Sequence, residues 1–187
     1  HLVKRRDWIY RTTALKSACG SGNTELVKII RRHVSKDHWY QLLLQQSDNF
    51  SCSPLQSAVS GGHIDIVKYI QASVTAEQWY KLLQIKDVHE CTAIHTAASE
   101  GNTELIMFIH RSVTVEQWYK LLQIKDKEDS TAIHTAASEG NTELIMFIHR
   151  SVTVEQWYKL LQIKDKEDST AIHTAASEGN TELIMFI

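Results

Sequence analysis

The feature that most constrains this chain is a verbatim internal repeat. The eleven letters TAIHTAASEGN begin at residues 92, 131 and 170, and every residue from 92 to 148 is identical to the residue 39 positions later. An active site is assembled from unlike residues, usually once per subunit. A fixed period of about 20–50 residues is instead typical of repeat arrays, in which each unit packs mainly on its neighbours. The repeat therefore favours a structural or binding role over catalysis.

Diverged copies precede the identical ones. Five glycines mark the units, with a step of 40 and then 39 residues: Gly22, Gly62, Gly101, Gly140 and Gly179. A tryptophan follows each of the first four glycines by 17 residues. We therefore expect a single array over residues 1–187, with units at about 8–47, 48–86, 87–125 and 126–164 and a truncated fifth at 165–187.

Each unit predicts three short helices, and the fourth unit shows the pattern of the first of them. Thr131 is a suitable N-cap, and Gly140 can end the helix in a left-handed conformation. Between them, a narrow apolar stripe at helical spacing is formed by Ile133, Ala136 and Ala137. Small alanines on that stripe allow neighbouring helices to approach closely.

Two more helices follow in the same unit. Asn141 or Thr142 can cap the second, whose apolar residues cover most of its circumference and predict burial on two sides: Leu144, Ile145, Phe147 and Ile148. Thr153 and Gln156 form a capping-box pattern for the third. Its predicted apolar face consists of Val154, Trp157, Leu160 and Leu161.

Two stretches carry a family resemblance. SPLQSAVSGGHIDIVKYI (53–70) and TAIHTAASEGNTELIMFI (131–148) resemble ankyrin repeats, whose hallmarks are Thr-Pro-Leu-His, Ala-Ala, Gly-His and a Val/Leu-rich helix. DKEDST (126–131) is similar to the family's turn, with Asp129 where glycine is usual. The resemblance covers about residues 8–187. It implies an all-α fold, a curved α-solenoid of stacked repeats that binds another protein.

The unit departs from the family in one respect. It has 39 residues where an ankyrin unit has 33, and a third helix stands where the family has a loop that feeds a β-hairpin. We therefore expect β-hairpins to be short or absent. By resemblance, partner contacts would come from the inter-repeat turns and the exposed side of the first helix: Lys127, Glu128, Ser130, Ser138, Glu139, Ser99 and Glu100.

Aromatic and methionine residues extend this candidate surface. Adjacent helical positions point about 100° apart, so a buried tryptophan leaves the following tyrosine, Tyr119 or Tyr158, partly exposed. In the second helix, Lys28 and Lys68 of the early units give way to methionine at Met107, Met146 and Met185. This methionine row is either an adaptable apolar strip for a partner or a surface covered by the third helix.

Two catalytic or metal-binding interpretations are disfavoured. His95, His134 and His173 recur at one position, but stacked helices lie about 8–10 Å apart, whereas zinc needs ligands at about 2 Å. The set Thr131, His134 and Glu139 imitates a nucleophile, base and orienting acid, yet the threonine already has a capping role. We predict no catalytic residue, no metal and no cofactor.

Composition narrows the class further. The net charge is −2 and 43% of residues are hydrophobic, which disfavours disorder, and the longest apolar run, LIMFI, is too short to enter a membrane as a span. Residues 1–38 carry a charge of +6, but without the interleaved aromatics of a nucleic-acid surface. Three cysteines without a CxxC pair fit a reducing compartment, so we predict a cytoplasmic location, with no export signal at the N-terminus.

The predicted function is therefore a protein–protein interaction scaffold that suits a repetitive or multivalent partner. Two alternatives remain open at this stage. One is a structural spacer whose copy number sets its length, and the other is a targeting segment of a larger enzyme, channel or pathogen effector. Because the chain ends inside a predicted helix, self-association through its C-terminal repeat is also open.

Overall fold

The structure, a computed structural model, is all-helical. It describes residues 14–46 and 51–184, and every regular element within those ranges is an α-helix. The predicted all-α class is therefore confirmed. The start of the predicted first unit and Met185 lie outside the described residues. The chain divides into two compact units, residues 1–89 and 90–187, and each is described by itself.

The first unit contains six helices in the residues described. They are α1 (14–20), α2 (Thr24–Arg32), α3 (Lys36–Leu44), α4 (Pro54–Ser60), α5 (Ile64–Ala72) and α6 (Ala76–Leu83). Helix α2 packs on α5, and α3 packs on α4 and α6. Helix α4 also packs on α5, the next helix in the chain.

The second unit continues the same order of short helices. They are α7 (Ala93–Ser99), α8 (Thr103–Arg111), α9 (Val115–Leu122), α10 (Ala132–Ser138), α11 (Thr142–Ser151), α12 (Val154–Leu161), α13 (Ala171–Ser177) and α14 (Thr181–Ile184). Helix α10 lies between α7 and α13, and α11 lies between α8 and α14. Within this unit the first helices of successive repeats therefore form one row, and the second helices form another.

Capping fixes where the third helices begin. In α9 the Gln117 N–H donates to Thr114 Oγ1 at 3.2 Å, and the Thr114 N–H donates to Gln117 Oε1 at 3.1 Å. Thr153 and Gln156 repeat both bonds at the start of α12. Each reciprocal pair satisfies two backbone donors that the helix itself leaves without partners. The predicted capping boxes are confirmed.

The second helices are capped by asparagine. The Leu144 N–H donates to Asn141 Oδ1 at 3.1 Å, so Asn141 and not Thr142 is the cap of α11. Leu144, Ile145 and Ile148 are fully buried, whereas Phe147 is half-buried. The predicted burial is therefore confirmed for three of these four residues and only in part for Phe147.

Tryptophans of the third helices join one repeat to the next. Trp118 of α9 is fully buried and its indole N–H donates to Ser151 Oγ, at the end of α11, at 2.8 Å. Phe147 of α11 also lies against the Trp118 ring, with 6.4 Å between ring centroids. In the first unit Trp39 makes the equivalent bond to Ser73 at 2.7 Å. The tryptophans are core residues, as their spacing predicts.

Two residues of the predicted apolar face of α12 are less buried than expected. Val154 was expected to pack inward with Trp157 but is 78% exposed, and Leu161 is only half-buried. Val154 is the first residue of α12, and within that helix only Trp157 and Leu160 are buried. Position in the helix overrides the apolar spacing there.

The inter-repeat turns contain residues with left-handed backbone at a constant spacing. Positive φ angles of 51°, 57°, 60° and 65° occur at Ser51, Glu90, Asp129 and Asp168. The turns contain no strand in the described ranges, but the Lys166 N–H donates to the Glu128 carbonyl of the preceding turn at 3.0 Å. Successive turns are therefore linked by backbone without forming a hairpin.

We expect Asp129→Gly to be more stable than Asp129→Ala by about 1 kcal/mol, because the left-handed conformation penalises any Cβ. Both variants remove the carboxylate, which lies 3.9 Å from Lys125, so the comparison isolates the backbone. Urea unfolding followed by circular dichroism measures the difference. Equal stability of the two variants would contradict the assigned φ.

Candidate protein-binding surface

The first helices of the second unit end in a row of exposed serines and glutamates. Helix α7 ends with Ser99 and Glu100, and α10 ends with Ser138 and Glu139; all four are exposed. Helix α13 adds the pair Ser177 and Glu178, also exposed. Because α10 packs against both α7 and α13, these six residues are brought together, and we call them the Ser-Glu row.

The glutamates of the Ser-Glu row occupy positions that are electrostatically unfavourable for the stability of the helices that they end. Glu100, Glu139 and Glu178 are the C-cap residues of their helices. The carbonyl oxygens at a helix C-terminus form the negative end of its dipole, so a cation is favoured there and a carboxylate is disfavoured. The row therefore presents negative charge that the C-termini of these three helices do not stabilise.

The turn after the third helix exposes a second set of predicted site residues. The Asp126 carboxylate accepts hydrogen bonds from the Glu128 N–H at 2.8 Å and the Ser130 N–H at 2.9 Å. This closed turn leaves the side chains of Lys127 and Glu128 exposed and that of Ser130 half-buried. The corresponding turn of the next repeat lies beside this one in space, since Lys166 Nζ is 3.8 Å from Glu128 Oε2.

Asn180, the equivalent of the predicted cap residue Asn141 in the next unit, links neighbouring repeats. Asn180 Nδ2 donates to the Ala137 carbonyl at 2.8 Å and to the Ser138 carbonyl at 3.1 Å, at the end of α10. A Cβ on Gly140, which has φ +64°, would lie only 2.8 Å from Asn180 Oδ1. The constant glycine-then-polar dipeptide is the sequence signal for this contact, because the glycine makes room for the side chain of the next repeat.

The aromatic and methionine candidates differ in exposure. Tyr158 is 66% exposed, whereas Tyr119 is half-buried. Met107 and Met146 are both half-buried, so these two methionines form neither a fully open strip nor a covered one. These residues belong to the second and third helices, whereas the Ser-Glu row lies at the ends of the first helices.

The repeated histidines serve the N-termini of the first helices. The Thr92 N–H donates to His95 Nδ1 at 3.2 Å, and His95 Nε2 lies 3.3 Å from the Ser130 carbonyl of the next turn. Since Nδ1 accepts from a backbone N–H, the proton of the neutral ring is on Nε2, facing that carbonyl. Thr131 and His134 repeat the first bond at 3.2 Å. The His95 ring thus contacts backbone on two sides, whereas the buried His134 Nε2 has no hydrogen-bond partner among the described residues.

Burial lowers the pKa of His134 below its ordinary value of 6.5. The Ser169 and Ile163 carbonyls and the Asp165 carboxylate oppose this shift, while Lys125 adds to it. A ring that is neutral in the folded state but protonated in the unfolded chain destabilises the fold at low pH. Burial followed by Arg111 also lowers the pKa of His110.

We expect the free energy of unfolding to fall as the pH drops through 6.5 toward the lower folded-state pKa of His134. Above pH 6.5 the His134 ring is neutral in both the folded and the unfolded chain, so its titration does not reduce the free energy of unfolding there. His134→Gln should show a shallower pH dependence, with a residual slope from His110. Urea titrations at pH 5.5, 6.5 and 7.5 measure it, and identical slopes for the parent and the variant would refute this assignment.

The reactive groups considered in the sequence are poorly placed for chemistry on a substrate. The Thr131 hydroxyl lies 2.9 Å from His134 Nδ1, but both residues are buried, while Glu139 is exposed at the opposite end of α10. Burial raises the pKa of the Cys19 thiol to about 12, which leaves it protonated at neutral pH. A substrate could reach neither group without opening a helix.

Comparison with known proteins adds no family assignment. No protein-family model matches the chain, and no curated protein matches it significantly. Across residues 14–46 and 51–184 no helix is long and apolar enough to cross a lipid bilayer. In the same ranges no three histidine, cysteine or carboxylate side chains converge as a metal site would require.

Proposed function

We propose that this chain is a protein-binding scaffold made of stacked ankyrin-like repeats, with no chemistry of its own. The Ser-Glu row carries the proposal. It places three carboxylates and three hydroxyls on adjacent helix ends, where they are exposed and where the helix dipole disfavours the charge. Residues that break a local stability rule without an evident structural return are expected at functional sites.

The chemistry of the row suggests a basic, repetitive partner. A carboxylate and a hydroxyl together accept hydrogen bonds from lysine or arginine. Packed helices lie about 8–10 Å apart, and an extended chain advances about 3.3 Å per residue. A segment with a basic residue at every third position would therefore place one cation at each helix end.

The test uses a synthetic peptide with lysine at every third residue and measures its binding to the full chain by fluorescence anisotropy. The variant carries Glu→Lys at all three glutamates of the row, Glu100, Glu139 and Glu178. We expect it to lose affinity at least tenfold, by analogy with close charge pairs at interfaces. Single substitutions should lose affinity stepwise, because each removes one contact of a multivalent set.

A matched control reverses the same number of charges in the same repeats. Glu104, Glu143 and Glu182 are exposed residues in the first turns of α8, α11 and α14. Their triple Glu→Lys variant should retain most of the peptide affinity. Equal losses in both variants would mean that binding reflects general acidity, and no binding by the parent would refute the basic-segment partner.

The spacer alternative retains one supporting observation, the verbatim repetition of residues 92–148. A spacer would tolerate every charge reversal in the row and respond only to removal of a complete 39-residue unit. Affinity capture followed by mass spectrometry separates the two functions. The intact chain, the row variant and the control variant serve as parallel baits. A protein retained by the control variant but lost from the row variant supports the scaffold.

A further inference from the structure

The third helices carry exposed apolar residues on a face adjacent to their core tryptophans. Val115 is 66% exposed at the start of α9, and Val154 is 78% exposed at the start of α12. Four residues later on the same helix faces lie Tyr119, half-buried, and Tyr158, 66% exposed. We call these four residues the Val-Tyr stripe.

Helix stability does not explain the valines. The equivalent positions in α3 and α6 are Lys36 and Ala76, both exposed, and those helices begin on the same kind of cap and bury the same tryptophan. Valine is a poorer helix former than either lysine or alanine. The position tolerates a charge, so exposed valine in α9 and α12 points to a contact outside the repeat.

The charges beside the stripe indicate what makes that contact. Glu116 and Lys120 flank it on α9, one helical turn apart with 2.5 Å between their charged atoms, and Glu155 and Lys159 repeat the arrangement on α12 at 2.7 Å. Two copies of such a helix, placed antiparallel, bring the acid of each opposite the base of the other. A parallel placement brings like charges together, so the face is complementary to itself in one orientation only.

The two helices offer their faces side by side. Lys125, three residues after the end of α9, donates from Nζ to the carbonyl of Lys164, three residues after the end of α12, at 2.8 Å. The sequences of α9 and α12 are identical, VEQWYKLL, so a twofold axis that pairs one helix with its copy can pair the other equally. Two equal contacts formed together strengthen an association that either alone would leave weak.

We propose that the Val-Tyr stripe is a homodimer interface, in which α9 and α12 of one copy lie antiparallel to α9 and α12 of a second copy. Each pairing buries valine and tyrosine and exchanges the Glu116–Lys120 and Glu155–Lys159 partners between copies. This surface is separate from the Ser-Glu row, so a dimer would present two such rows to a partner.

Sedimentation equilibrium of the full chain tests the proposal. The parent mass should rise with concentration from 21.4 kDa toward twice that value. Lys120→Glu with Lys159→Glu should be monomeric, and so should Glu116→Lys with Glu155→Lys, because each creates a face of one sign. An equimolar mixture of the two variants should regain the dimer mass.

Two controls make the outcome specific. Lys81→Glu breaks the same type of pair, Glu77–Lys81 at 2.7 Å, on α6, which lacks the valine, and should leave the association unchanged. Glu104→Lys with Glu143→Lys has the same net charge as the basic stripe variant and should not rescue the acidic one. In addition, Val115→Ala with Val154→Ala should weaken association at least tenfold without loss of helicity.

Three results would overturn the interface. They are a parent that stays at 21.4 kDa at its highest soluble concentration, an association that survives both charge reversals, and an equimolar mixture that remains monomeric. Association that survives both reversals would place the contact elsewhere, as at the C-terminal repeat.

Discussion

Replacing Trp118 with alanine should lower the free energy of unfolding by about 3–5 kcal/mol, the range for buried aromatic truncations. The side chain is fully buried, donates its indole N–H to Ser151 Oγ at 2.8 Å and packs edge-on against the rings of His110 and Phe147. Its removal opens a cavity between two successive repeats and deletes the bond that connects them. Urea unfolding followed at 222 nm measures the loss.

Two further substitutions separate the contribution of the indole hydrogen bond from that of a neighbouring aromatic ring. Ser151→Ala leaves the buried indole N–H without its acceptor and should cost about 1–3 kcal/mol. Tyr119→Ala, at the next position on α9, truncates a half-buried ring and should cost clearly less than Trp118→Ala. If Tyr119→Ala were as damaging as Trp118→Ala, the tryptophan would not be the residue that couples the repeats.

Local features of the fold could be predicted from the sequence because their causes lie within four residues. The Thr153–Gln156 capping box and the left-handed Gly140 each follow from the chemistry of a single helix end. The spacing of Ala136 and Ala137 likewise predicts the buried stripe of α10. Such signals are independent of how the helices are later arranged.

Features that depend on the neighbouring repeat could not be predicted in the same way. The acceptor of the Trp118 indole is 33 residues away, and the acceptors of Asn180 are 42 and 43 residues away. Apolar spacing also placed Val154 in the core, whereas its side chain is 78% exposed. Periodicity describes one helix, whereas these outcomes are set by packing between helices.

The candidate binding surface was predicted in part. The exposure of Ser138, Glu139, Lys127 and Glu128 agrees with an outward-facing helix end and turn, but whether they bind a partner stays a prediction. The unfavourable position of Glu139 at the C-cap required the helix end to be located first. The electrostatic argument for the row therefore rests on structure, while the residues that form it were visible in the repeat.

His134→Leu is expected to destabilise the protein by about 1–3 kcal/mol, the cost of leaving a buried hydrogen-bonding group unpaired. The Thr131 N–H donates to His134 Nδ1 at 3.2 Å, and both residues are almost completely buried, so no water can replace the ring. Leucine fills similar space but accepts no hydrogen bond. The first helix of that repeat would lose its N-terminal anchor.

The chain itself supplies the matched control, because glutamine occupies this position in α4. There the Ser53 N–H donates to Gln56 Oε1 at 2.9 Å, and the Gln56 N–H donates to Ser53 Oγ at 3.2 Å. His134→Gln should therefore retain stability within about 1 kcal/mol of the parent at pH 7.5, since the acceptor for Thr131 is restored. Urea unfolding of both variants decides the point: if glutamine and leucine were equally damaging, ring packing, and not the bond to Thr131, would be what His134 contributes.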